Sequence, residues 1–95
     1  MTVNTTFVLE RRKANAARGD AHAAYDLGVA FSTGTEGADY DLIEAHKWFN
    51  LAAVAGHEGA PAARQEIADD MTAREIATAQ RAARDWLQQM QRRAA

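Results

Sequence analysis

Alanine supplies about a quarter of this 95-residue chain, and that abundance constrains the fold more than any other feature. Alanine has the strongest helix propensity of any residue, and its small side chain lets helices approach closely. Several alanines recur with larger apolar residues at helical spacing, among them Ala24, Ala45, Ala52, Ala79 and Ala83. A single proline and little clustering of β-branched residues point the same way. The reading is all-α. Its length suits one domain around one modest core, and 47% hydrophobic with 25% charged residues is a globular composition.

Periodicity and punctuation predict about five helices. The first runs from about Thr6 to Arg18 and stops at Gly19. Asp20 is the expected N-cap of the second, which carries Ala24, Leu27, Gly28 and Phe31 on one face. Turn-forming residues from Thr33 to Asp39 follow, with Gly34 and Gly37 among them. Asp41 and Glu44 stand in capping-box spacing at the start of a third helix, which passes through Trp48 and Phe49 and ends at Gly56. Pro61 suits the first turn of a fourth helix, reaching about Asp70. Thr72 and Glu75 form another capping box before a long last helix to about Arg92. Its apolar stripe is Ile76, Ala79, Ala83, Trp86, Leu87 and Met90. Short turns imply antiparallel neighbours, hence stacked helical hairpins.

Charge and motif content narrow the function classes. The net charge of −2 is too small to imply a nucleic acid, a polyanion or a membrane surface as partner. The stretch 21–63 is acidic, with only Lys47 against six acids, and both flanks are weakly basic. Without cysteine there are no disulfides or thiolate metal sites. No apolar run suggests a signal peptide or a membrane span, so a cytoplasmic location is expected. The Asn4-Thr5-Thr6 sequon is read as chance.

The stretch from Gly19 to Gly56 carries the most information. Ala24-Tyr25-Asp26-Leu27-Gly28-Val29-Ala30-Phe31 lies in one helix, and Ala45-His46-Lys47-Trp48-Phe49-Asn50-Leu51-Ala52-Ala53 in the next, closed by Gly56. This resembles a Sel1-like repeat, whose pattern is A-x-x-L-G-x-x-[YF], a glycine-bearing loop, then A-x-x-W-[YF]-x-x-A-A-x-x-G. The tetratricopeptide repeat shares the Leu-Gly signature. Its spacing would put the small residue of the second helix at Tyr40, whereas it falls at Ala45 after the longer Gly34/Gly37 loop. The flanks look like weaker copies. Gly19 matches Gly56 at a period of 37, with Arg11 and Arg12 in place of Trp48 and Phe49, read as a charged cap. Met71 to Ala77 with Trp86 resembles the closing segment that often follows such repeats in bacterial proteins.

The resemblance implies a short right-handed α-α superhelix, a solenoid of antiparallel hairpins. Residues 1–19 would form an N-terminal capping helix, 20–57 the complete repeat and 58–95 a degenerate capping hairpin. The implied function is a protein-protein interaction module, an adaptor or scaffold that takes a peptide or protein on a helical-repeat surface. By similarity, His22, Tyr25, Val29, Ser32 and Thr33 would line the surface in the complete repeat, with Gln65 and Asp69 from the next hairpin. Tyr25 and Val29 offer the apolar anchors. The bland alternative is that all seven are ordinary exposed residues.

Other chemistries have less behind them. His57-Glu58 begins like a zinc-protease motif, but Pro61 takes the place of its second histidine. The three histidines are read as solvated or locally hydrogen-bonded, and no metal or cofactor is expected. Asp26, Asp39 and Asp41 have no nucleophile, oxyanion donor or phosphate loop beside them, so no enzyme is expected. The segment from Ile67 to Thr72, followed by Arg74, Arg81 and Arg84, could imitate a helix-turn-helix DNA reader. Asp69, Asp70 and Asp85 weaken that alternative, a small DNA-associated regulator. The end carrying Trp86, Leu87 and Met90 could also support an accessory homodimer.

Overall fold

Local chemistry marks several of the helix ends. The computed structural model describes residues 5–94, so the asparagine of the sequon and the first residues of the expected N-terminal cap lie outside it. Those residues form α1 (Thr5–Ala17), α2 (Ala21–Thr33), α3 (Leu42–Val54), α4 (Ala60–Ala68) and α5 (Ala73–Ala94), with no strand among them.

The carboxylate of Asp20 accepts the Ala23 N–H at 3.1 Å and starts α2. Asp41 likewise accepts from Ile43 and Glu44, at 3.0 and 3.1 Å, and starts α3. Its capping box is only half made. The Asp41 N–H that Glu44 would receive instead donates to the Phe31 carbonyl at 2.9 Å, tying the start of α3 to the end of α2. Thr72 and Glu75 complete the reciprocal box, each backbone N–H donating to the other's side-chain oxygen, at 2.8 and 3.1 Å.

Helices α1 and α3 end in the same way. Gly19 (φ 93°) donates to Ala16 and Asp20 to Asn15, while Gly56 (φ 99°) donates to Ala53 and His57 to Ala52. Both are Schellman closures, which need a left-handed residue that glycine supplies without strain. They lie 37 residues apart.

Helix α3 is the centre of the molecule. It packs against α2, α4 and α5, while α1 packs against α2. Ala45, Trp48 and Ala52 are fully buried on it, and Phe49 and Leu51 nearly so. The Trp86 ring of α5 meets Trp48 edge-on at 4.9 Å. Helices α4 and α5 hardly touch, although only four residues separate them; each rests on α3 instead. The radius of gyration, 12.9 Å, is near the ~13 Å of a compact chain of about 100 residues. One cluster around Leu27, Trp48 and Leu51 takes in Ala60 of α4 and Ala83 of α5, with Leu9 and Ala16 of α1 packed on it.

Gly28 sets the closest approach. A Cβ there would stand 2.5 Å from two ring carbons of Phe49, so α2 lies on that ring only because residue 28 has no side chain. That contact fixes the Gly28 face of α2 against α3.

Candidate aromatic shelf on helix α2

Tyr25 lies one turn before Gly28 on α2 and shares its neighbour, tilting against Phe49 at 5.4 Å. The His57 imidazole stacks on the phenol at 4.1 Å and 3°. The α3–α4 turn holds His57 in place: its Nδ1 accepts the Gly59 N–H at 3.1 Å. His22 continues the stack, 5.9 Å from His57 at 20°, with its imidazole mostly exposed and 3.7 Å from Asp26. Three rings from two elements thus form a shelf beside the start of α2.

Val29, one turn further on, is 37% exposed. Its carbonyl accepts from both Ser32 and Thr33 hydroxyls, at 3.0 and 2.7 Å, and Thr33 meets Thr35 at 2.8 Å. Ser32 and Thr33 are therefore largely spent on closing α2. Gln65 donates to Asp69 at 3.3 Å along α4, and both are exposed. Of the seven expected residues, His22 and Tyr25 are brought together by contact with His57. Gln65 and Asp69 bond to each other rather than to a ring of the shelf.

His57 is absent from the seven expected residues, because in the sequence it stands out only as the start of a zinc-protease-like motif. A signal was present: His57 follows Gly56 as Asp20 follows Gly19, and both side chains receive a backbone N–H from the helix start that follows. Nor are the histidines all solvated. His46 is buried at 3% exposure, and its Nδ1 has no hydrogen-bond partner among the described residues. Burial, followed by the positive charge of Arg64, holds its pKa below the ordinary 6.5.

Around the central indoles, the Lys47 ammonium sits 4.7 Å from the Trp48 ring centre and 5.4 Å from that of Trp86, with Glu44 at 3.5 Å. That arrangement joins α3 to α5 through a partly desolvated cation. Among the described residues, no group of three or more His, Asp or Glu side chains could hold a metal ion, and no helix is long and apolar enough to cross a membrane. Compared with family models, with curated proteins and with solved structures, the chain matches none.

Proposed function

We propose that this chain is a Sel1-like repeat module, a short solenoid that acts as an adaptor by binding a peptide or protein on the outward side of α2. The Gly28–Phe49 crossing, the buried Trp48 and the paired closures at Gly19 and Gly56 support the repeat reading. The observation that carries the binding reading is the stacked shelf of His22, His57 and Tyr25 beside exposed Val29. A phenol stacked on His57 and tilted against Phe49 has little rotamer freedom left to lose, which favours it as an anchor. In this reading, Ser32, Thr33, Gln65 and Asp69 are polar surroundings rather than anchors.

Quantitative affinity capture with the intact chain and with Tyr25→Ala and Val29→Lys tests the proposal. Proteins retained by the unaltered chain should be lost with both variants, while circular dichroism shows helicity kept for Val29→Lys. Equal capture by all three would remove the α2 face from the site. The DNA-regulator reading has less support, because α4 and α5 do not pack together as a helix-turn-helix pair would. An electrophoretic shift with unrelated duplexes at low salt, vanishing by about 200 mM, would reverse that preference.

A further inference from the structure

The 37-residue spacing extends beyond the two helix stops. Advancing α1 (Thr5–Ala17) by that period gives the bounds of α3, Leu42 to Val54. Under this correspondence Val8, Arg11, Arg12 and Asn15 stand where Ala45, Trp48, Phe49 and Ala52 stand on α3. On α3 these four are at most 2% exposed, and α2 covers that face through the Gly28–Phe49 contact. On α1 the four line an open groove of about 370 Å³, whose opposite wall includes Asp20 and His22 at the start of α2. The groove is the position on α1 that corresponds to the place α2 fills on α3.

Its chemistry differs from that of the α3 face chiefly in charge, besides Asn15 in place of Ala52. Two guanidiniums replace the indole and the phenyl ring. Arg12 is engaged by Glu36 of the α2–α3 loop. Arg11 is exposed and has no ion pair among the described residues, and Arg18 donates to Asn15 at 3.4 Å, adding a second exposed guanidinium beside the groove. The α2 wall is acidic, but Asp20 is spent on the Ala23 N–H and Asp26 faces His22.

We infer that this groove is a docking site for an amphipathic helix of a partner protein, seated between α1 and α2 with its carboxylates turned toward Arg11 and Arg18. The size and direction of the site come from the α2–α3 pairing, and the sign of the partner's charge from the unpaired guanidinium. Asp20 and Asp26 set the orientation, since a helix that turned its acids toward α2 would meet like charge. The inference goes beyond the adaptor reading. The groove shares His22 with the shelf but includes neither Tyr25 nor Val29, so Arg11→Glu tests the groove and Tyr25→Ala the shelf, and either can fail alone.

The probe is a side-chain-stapled, fluorescently labelled peptide with the sequence of residues 20–34 carrying Leu27→Glu, its helicity verified by circular dichroism. On α2, Leu27 belongs to the cluster around Trp48, the residue that Arg11 replaces, so a carboxylate there should reach Arg11. Fluorescence anisotropy with the intact chain at low salt should show saturable binding. The peptide with Leu27 retained should bind roughly tenfold more weakly, and Arg11→Glu in the protein should reverse that order. Arg11 is exposed, so an unchanged melting curve for Arg11→Glu verifies that the fold is kept. No binding of the acidic peptide up to about 1 mM would overturn the inference. So would equal affinity for Arg11→Glu, or a concentration-dependent dimer in sedimentation that Arg11→Glu abolishes, which would give the groove to a second copy.

Discussion

Replacing Gly28 with alanine sets two known effects against each other, and the structure decides between them. Helix propensity favours alanine by about 1 kcal/mol at an interior helical position. Against it, the new methyl would stand 2.5 Å from Cδ1 and Cε1 of Phe49 and 2.9 Å from Cγ. Carbon atoms rest at about 3.5–4.0 Å, so the ring must withdraw by about 1 Å. It has little room, being 2% exposed with Tyr25 tilted against it. Forcing extra carbon into such a core costs about 1–3 kcal/mol, and the strained contact to three ring atoms argues for the upper half of that range. The net loss is then about 1–2 kcal/mol, a fall in Tm of about 5–15 °C for a domain of this size. Gly28→Leu adds three more carbons at the same place and should prevent folding. Thermal denaturation followed by circular dichroism measures both, and a Phe49→Leu background supplies the control. There the rigid ring is gone and Gly28→Ala should become neutral or stabilising. A rise in Tm for Gly28→Ala alone would refute the close-crossing argument.

Two further predictions concern groups that the fold commits. His46 is buried with its pKa lowered, so the unfolded chain binds its proton more readily than the folded one. Its contribution to stability is complete above pH 6.5 and is lost as the pH falls from there toward the lower folded value. Urea melts across that interval should show stability falling with acidity, and His46→Leu should flatten the slope; an unchanged slope would clear His46. The two capping boxes should respond differently to loss of their acids. Glu75→Ala removes the acceptor of the Thr72 N–H and should cost about 1 kcal/mol, whereas Glu44→Ala removes no cap and should cost only a few tenths. Equal losses in chemical denaturation would contradict the asymmetry.

The helices themselves were legible in the chain because their signals are local. Asp20, Asp41, Gly19, Gly56 and Pro61 act within a few residues of where they sit, so their positions follow from spacing alone. The aromatic pair was legible for a related reason, since Trp48 and Phe49 lie between alanines at helical period. The half-made box at Asp41 was not. Whether Glu44 receives the Asp41 N–H depends on Phe31, ten residues upstream, reaching the same donor first.

What the amino-acid order determined by itself was an all-helical chain with its breaks, its caps and the one glycine that a neighbouring helix could approach. The tertiary structure alone decided that α4 and α5 both lean on α3 rather than on each other, and that His57 swings over Tyr25. It also decided that the face of α1 matching α3's buried one lies open as a groove. The physical reason is one of range. Caps and propensities act over a single turn, while ring stacking, burial and open grooves depend on which distant surfaces the crossing at Gly28 brings together.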